Sequence, residues 1–281
     1  MRLLLLLFGL SLLSATYSQD DLEVIIQTGH AGKINSLIYG KHKKKIYSAG
    51  KDAKIIVWDV KTGKQEKEII AHNGPINKIE FYNDSTLISC SDDSTVKLID
   101  KNTLEIKKVL GPFKYKAKSV AVNQNNQKIA IGTRFLHIVD SKFNITTLKA
   151  MSFDHYDVVH FLDEPGYIIY GGRKDKFTRV IRDDNFDIVK SITANATSVA
   201  SYGNEYVIGD LYGAVYYFNM RKMDEKRYAL PNPLIAVNDV GFYGNKILIG
   251  RSDGIVEQIF KRDFVTYSYF KGHLSEVTAV D

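Results

Sequence analysis

The chain has 281 residues, of which 44% are hydrophobic and 25% are charged, and its formal net charge is +6 at pH 7. A chain of this length can bury a large fraction of its unfolded surface in a core. Its single cysteine, Cys90, cannot form an intramolecular disulfide, which excludes a disulfide-built fold. The mild charge excess does not by itself predict a nucleic-acid-binding protein.

The first segment of the chain is apolar. Arg2 precedes a leucine-rich run from Leu3 to Leu13, and small residues follow as far as Ser18. This pattern is typical of a secretory signal peptide, and the run is too short to cross a bilayer comfortably. We therefore expect residues 1–18 to be removed on export and residues 19–281 to form a mature domain without a membrane span. The expected location is secreted or periplasmic.

A repeated spacing follows the N-terminal segment. Gly-His or Ala-His pairs end at His30, His72 and His273, and a Trp-Asp pair begins at Trp58. The intervals fit a period of about 40–45 residues, which is typical of the blades of a propeller.

Residues 29–59 resemble a WD-repeat unit in both motif and spacing. The resemblance implies that four side chains form a hydrogen-bonded chain which pins one strand to the next, and the matching residues are His30, Ser48, Asp52 and Trp58. Such a half-buried polar network is tolerated only when its members are satisfied.

The second unit, residues 71–100, resembles the family less completely. It supplies His72, Ser89 and Asp93, but Ile99 stands where the tryptophan would be. The resemblance therefore implies a network that lacks its last member.

Later units match by hydrophobic pattern rather than by motif. Short β-rich runs such as residues 136–140 and 214–219 are separated by Gly, Asn and Asp, and this indicates an all-β fold without reference to any family. We expect a β-propeller of four-stranded blades with six complete units. Residues 272–281 open a further unit, and residues 22–27 resemble an outer strand, so a partial seventh unit shared between the termini is expected. This favours a chain that is incomplete at its C-terminus over a ring closed with six blades.

The resemblance implies an exported, non-catalytic scaffold for protein–protein interaction. In a propeller, the turns between the second and third strands of each blade lie on one face, and loops on a rigid scaffold tend to carry binding residues. Asp92 and Asp210 occupy this turn in the second and fifth units. Basic residues recur there in the other four units, which favours an acidic protein or peptide as partner, with solubility as the alternative explanation: Lys51, Arg134, Arg173, Lys174 and Arg251.

Neither an enzyme nor a cofactor is predicted, because the recognised nucleophile, metalloprotease and phosphate-binding motifs are missing from the sequence. His155 and His160 are weak candidates for metal ligands, and His160 also fits the alternating pattern of a strand. Nucleic acid is not an expected partner, because the aromatic residues alternate along strands as core residues do.

Two alternative functions stay open. One is a recognition domain of a larger protein with a protease-like part beyond residue 281, and the other is a propeller enzyme or metal-binding protein that uses the central channel. Cys90 is expected to be buried and inert. N-glycosylation sequons begin at Asn83, Asn144 and Asn195 in predicted turns, and they matter only in a eukaryotic host. The sequence defines neither the host nor the oligomeric state.

Overall fold

The computed structural model describes residues 29–40, 44–148, 155–163, 166–222, 224–230, 232, 234–272 and 276–277. The predicted signal peptide, the predicted strand at residues 22–27 and the anchor His273 lie outside the described residues. Within the described ranges, no helix is long and apolar enough to cross a membrane.

The described chain is built from β-strands grouped into six sheets of four consecutive strands. Blade 1 contains β1 (Ile34–Tyr39), β2 (Lys45–Gly50), β3 (Lys54–Asp59) and β4 (Gln65–Ile70). Blade 2 contains β5 (Ile76–Asn83), β6 (Thr86–Ser91), β7 (Val96–Asp100) and β8 (Ile106–Leu110). Blade 3 contains β9 (Ser119–Val122), β10 (Ile129–Gly132), β11 (Leu136–Val139) and β12 (Ile145–Leu148).

The other three blades repeat this order. Blade 4 contains β13 (Val158–Phe161), β14 (Tyr167–Gly171), β15 (Thr178–Arg182) and β16 (Ile188–Ile192). Blade 5 contains β17 (Ala196–Tyr202), β18 (Glu205–Asp210), β19 (Ala214–Asn219) and β20 (Asp224–Ala229). Blade 6 contains β21 (Val237–Tyr243), β22 (Lys246–Arg251), β23 (Ile255–Phe260) and β24 (Thr266–Lys271).

The first strands of all six blades line one central cavity of about 540 Å³. Each sheet is antiparallel and keeps its strands in chain order, so the fourth strand of each blade lies farthest from this channel. The predicted all-β propeller with six four-stranded blades is therefore confirmed.

The core of the molecule lies between neighbouring blades. Tyr47 and Ile55 of blade 1 pack against Ile79, Leu87 and Ile99 of blade 2, and four similar clusters join the blades that follow. Burying one large aliphatic side chain contributes about 1.5–3 kcal/mol, so these interfaces dominate the stability of the ring. The fourth strands, such as β4 with its sequence QEKEII, are largely exposed.

A ladder of side-chain hydrogen bonds also links the first strand of one blade to the next unit along the chain. Asn35 donates to the Ile76 carbonyl at 2.8 Å, and Asn77 donates to the Ala117 carbonyl at 2.8 Å. The same bond runs from Thr197 to the Val237 carbonyl and from Asn238 to the Val277 carbonyl.

The side of blade 1 that faces blade 6 differs from the other blade faces. Ile34, Leu37 and Tyr39 are 39%, 41% and 42% exposed, whereas the matching Ile76 and Ile79 of blade 2 are at most 1% exposed. Among the described residues, no apolar cluster joins blade 6 to blade 1, and an ion pair between Lys33 and Glu276 lies on this side.

Cys90 lies on β6, in the cluster between blades 2 and 3, with none of its surface exposed. Burial raises the pKa of its thiol to about 12. The predicted burial of Cys90 is confirmed.

Candidate binding face

The histidine network of blade 1 joins its entry loop to β2, to β3 and to the turn between them. The Trp58 indole N–H donates to Ser48 Oγ at 2.8 Å, and Ser48 Oγ lies 2.8 Å from His30 Nε2. His30 Nδ1 lies 2.9 Å from Asp52 Oδ1. An ionised carboxylate can only accept, so the His30 Nδ1–H donates to Asp52.

Asp52 also caps backbone groups around the turn. It accepts from the N–H groups of Ala31 at 2.9 Å and Lys54 at 3.2 Å. Burial opposes the charged form of Asp52, but the bonds from His30 and the two backbone groups outweigh it and lower the pKa of this carboxyl. The network therefore ties the turn to the entry loop.

Blade 2 keeps the histidine network without the tryptophan. His72 lies 2.9 Å from Asp93 Oδ2 and 2.8 Å from Ser89 Oγ. Burial opposes the charge on Asp93, yet bonds from Thr95 and the backbone lower its pKa to about 2. Ile99 takes the tryptophan position and is fully buried. In both blades the two nitrogens of the histidine ring are occupied by internal bonds.

Blade 3 holds a histidine by a different route. His137 lies on the third strand instead of the entry loop, and its ring nitrogens lie 3.0 Å from Thr133 Oγ1 and 2.9 Å from Thr147 Oγ1. Burial lowers the pKa of His137 to about 4, so its ring is neutral at pH 7. The sequence pattern missed this network because the family motif places the histidine before the first strand.

Blade 6 corrects one sequence prediction. Arg251 lies opposite Val237 at the end of β22, as Gly50 lies opposite Ile34 in blade 1. It therefore precedes by one residue the turn position that Lys51 occupies. A shift of one residue turns a side chain to the other side of a strand. Arg251 is only 7% exposed, so its prediction as a residue of the exposed binding face is wrong.

The buried Arg251 belongs to an ionic network inside blade 6. Its Nη1 lies 3.0 Å from Glu257 Oε2, and its Nε lies 3.0 Å from Asp253 Oδ1. Glu257, which has no exposed surface, also accepts from Tyr228 at 2.6 Å and from Thr266 at 2.9 Å.

Asp210 shows the same register in blade 5. It lies opposite Ala196 and is 3% exposed. Its carboxylate accepts from the backbone N–H groups of Asn195 at 2.8 Å and Tyr212 at 2.6 Å. Asp210 therefore caps the turn, as Asp52 does in blade 1, without a histidine.

We call the surface formed by the entry loops and by the turns between second and third strands the turn face. Lys51 in blade 1 and Arg173 and Lys174 in blade 4 are exposed on it. Arg134 in blade 3 is half-buried, with its guanidinium carbon 5.3 Å from the centre of the Tyr115 ring. Four of the five predicted basic residues thus lie on this face.

The entry loop of blade 3, residues 111–118, contributes a group that sequence analysis missed. Tyr115 packs edge to face on Phe135, with 5.5 Å between ring centres, and Phe113 lies 4.6 Å from the His137 ring. Lys114 Nζ lies 5.6 Å from the Tyr115 ring centre. The detectable signal was the alternation of aromatic and basic residues in the sequence FKYKAK.

Asp92 is the carboxylate next to this loop. It accepts from Lys116 at 2.9 Å and from Lys118 at 2.6 Å, and Asn77 donates to it at 2.8 Å. Burial opposes its charge, but these bonds lower the pKa of Asp92 to about 2. Asp92 therefore stays ionised and holds the base of the loop.

The proposed metal ligands do not form a site in the described part of the chain. His155 lies in the loop before β13, and His160 lies on β13 with its Nε2 2.8 Å from Ser201 Oγ in blade 5. Burial lowers the pKa of His160 to about 3, with a smaller contribution from Lys78. Among the described residues, no three His, Cys, Asp or Glu side chains are grouped to hold a metal ion.

The sequons differ in accessibility. Asn144 is exposed, and its amide donates to Asp140 at 2.8 Å. Asn83 and Asn195 are half-buried. Asn195 donates to the Arg173 carbonyl at 3.0 Å, and Thr197 of the same sequon is bonded within the inter-blade ladder.

Comparison with known proteins agrees with the blade geometry. The family described as WD domain, G-beta repeat matches residues 23–59 and 63–100, which include the two histidine networks. The matched repeats and the six four-stranded blades support a β-propeller of the WD-repeat type.

Three relatives illustrate the extent of similarity. The chain is 26% identical to cilia- and flagella-associated protein 57 of Mus musculus, over 49% of this chain and 10% of that protein. It is 33% identical to eukaryotic translation initiation factor 3 subunit I of Culex quinquefasciatus, over 26% of this chain and 22% of that protein. It is 34% identical to F-box-like/WD repeat-containing protein TBL1X of Mus musculus, over 24% of this chain and 13% of that protein. The matched segments thus span less than a quarter of each relative.

Proposed function

We propose that this protein is a non-catalytic scaffold that binds an acidic protein or peptide on its turn face. The observation that carries the proposal is the contrast between two groups of polar residues. The histidines of blades 1 to 3 are bonded inside the blades, and the basic residues Lys51, Arg173 and Lys174 are exposed on one face. The match to two WD-repeat units and the similarity to a subunit of a translation initiation factor support an interaction role.

Charge on this face acts mainly on the rate of encounter. Basic side chains around the mouth of a rigid ring raise the association rate of an acidic partner and disfavour basic ones. Exposed ion pairs contribute little to folding stability, so these residues can be changed without loss of the fold.

The experiment measures association with acidic peptides selected from a random display library on the wild-type protein. Reversal of Lys51, Arg173 and Lys174 to Glu is expected to slow association about tenfold and to flatten its dependence on salt. The matched control reverses Lys61, Lys142 and Lys222, which are exposed at the turns of the opposite face. Equal association rates for the two triple variants would reject the turn face as the site.

We also propose that the protein acts outside the cytoplasm. The support is the leucine-rich segment that ends in small residues before Gln19. The mature protein is expected to begin within about two residues of Gln19, as a signal peptidase product would. Sequencing the N-terminus of exported protein tests this, and an intact Met1 on that protein would contradict it.

A seventh unit between blade 6 and blade 1 is the remaining architectural proposal. Val277 supports it, because its carbonyl accepts from Asn238 and its N–H donates to the Arg251 carbonyl at 3.0 Å. Ala117, just before the first strand of blade 3, makes the equivalent bonds to Asn77 and the Ser91 carbonyl. Val277 thus takes the position from which a first strand begins.

The seventh unit predicts that the exposed apolar side of blade 1 is covered in the whole protein. Leu37→Asp would then cost about 2–4 kcal/mol of unfolding free energy, because it buries a charge. Val109→Asp, at a 49% exposed position of β8, is the control and should cost less than about 1 kcal/mol. If thermal melts show equally small losses of stability for the two variants, this side of blade 1 is uncovered and the seventh unit is rejected.

A further inference from the structure

We infer that blade 3 carries the anchor of the turn face, a site for a large apolar or aromatic side chain that is flanked by carboxylates in the partner peptide. We call this site the blade 3 platform and define it by Lys114, Tyr115, Arg134 and Phe135. The inference rests on the proposed function and adds to it the position and the chemistry of the main contact.

The aromatic part of the platform is accessible, and neighbouring side chains hold it in place. Tyr115 and Phe135 are both half-buried, so each ring keeps one part in contact with solvent. The Phe113 and Phe135 rings both lie next to the His137 ring, with 4.6 Å and 6.4 Å between ring centres, and His137 is bonded to Thr133 and Thr147. A ring that is already immobilised loses little conformational entropy on binding, which is the property of an anchor residue.

The charged part of the platform surrounds these rings. Lys114 and Arg134 lie over the Tyr115 ring, at 5.6 Å and 5.3 Å from its centre. Lys116 and Lys118 belong to the same loop, and Asp92 pairs with both. The local charge is therefore positive, and it complements an apolar side chain that has acidic neighbours.

The ring geometry favours a peptide over a single-stranded nucleic acid. Tyr115 and Phe135 meet at an interplanar angle of 73°, so they do not form parallel surfaces on which successive bases could stack. A short peptide segment with one anchor side chain does not need parallel ring surfaces.

The test uses peptides that a random display library yields on the full-length wild-type protein. Enriched peptides are expected to place an aromatic or large aliphatic residue beside at least two acidic residues. Tyr115→Ala and Lys114→Glu should each weaken their binding about tenfold or more, which is the effect of a hot-spot residue. Tyr115→Phe should retain binding within about threefold because the ring remains.

Tyr212→Ala is the control, since Tyr212 is 61% exposed on the same face, in the turn between the second and third strands of blade 5, and the affinity of this variant should equal that of wild type. Lys114→Glu keeps the test valid if Tyr115→Ala fails to fold, because Lys114 is exposed. Peptide binding that responds to the triple reversal at Lys51, Arg173 and Lys174 but not to the platform variants would reject the blade 3 platform as the anchor. That result would still support the proposed scaffold function. Failure to enrich any peptide would overturn both. Displacement of the peptides by a thymidine oligonucleotide at lower concentration than by free acidic peptide would assign the platform to nucleic acid instead.

Discussion

Blades 1 and 6 connect their second and third strands with opposite chemistry. In blade 1 His30 links Ser48 to Asp52, and the Asp52 carboxylate also accepts backbone N–H groups. In blade 6 a guanidinium and a carboxylate, Arg251 and Glu257, are both buried. The entry loop of blade 6 is held separately, by a bond of 2.9 Å from the Ala236 N–H to Ser252 Oγ.

The comparison shows which part of the repeat motif is a structural requirement. Each of these blades needs an acceptor in the turn for the entry-loop backbone, and Asp52 and Ser252 both supply one. The histidine is one way to connect that turn to the strands. The ionic alternative carries a larger penalty when it is broken, because a charge left alone in the interior is strongly destabilising.

The largest expected effect is therefore in blade 6. Arg251→Met should lower the free energy of unfolding by about 3–5 kcal/mol, since it leaves the Glu257 carboxylate buried without its counter-charge. Adding Glu257→Gln should recover more than half of the loss, because the amide oxygen still accepts from Tyr228 and Thr266. Chemical denaturation of the single and double variants measures both values. A loss below about 1 kcal/mol for Arg251→Met would contradict the importance of this ion pair.

Blade 3 offers a pH-dependent form of the comparison. The pKa of His137 is about 4 in the fold, below its ordinary value, so between these values the unfolded chain binds a proton that the folded chain does not. The neutral His137 contributes fully to the free energy of unfolding above about pH 6.5. About 2–3 kcal/mol of this free energy is lost as the pH falls to about 4. His137→Gln should make the curve of stability against pH shallower across this range. An unchanged curve in urea titrations would show that His137 is not the group responsible.

The smallest effect concerns the last bond of the blade 1 network. Trp58→Phe keeps a ring but removes the N–H that donates to Ser48, and it should cost about 1 kcal/mol. A double-mutant cycle with Ser48→Ala should give a coupling energy of about 0.5–1.5 kcal/mol. Ile99→Val with Ser89→Ala is the matched cycle in blade 2, where no bond ends on the isoleucine, and its coupling should be near zero. Equal coupling in the two blades would refute the role of the indole N–H.

Much of the fold was predictable because each propeller strand has a recognisable local sequence pattern. The runs at residues 55–59, 96–100 and 214–219 alternate between faces and end at turns, and they are strands β3, β7 and β19. The spacing of His30 and His72 identified two units by motif. The network residues His30, Ser48, Asp52 and Trp58 lie within hydrogen-bonding distance as the resemblance implied.

The candidate site was less predictable, because it depends on register and on neighbouring blades. Arg251 and Lys51 look alike in sequence, but a difference of one residue in strand pairing buries the first and exposes the second. Tyr115 and Phe135 come from different strand connections and meet only in the folded blade. No local pattern reports such a contact.

The buried thiol of Cys90 can report on local opening of the propeller. A thiol with a pKa of about 12 and no exposed surface reacts with a water-soluble reagent only when the interface between blades 2 and 3 separates. The rate of thiol modification therefore measures how often the interface between blades 2 and 3 opens. Because the chain has one cysteine, the signal comes from that joint alone, in the wild-type sequence and without an introduced label.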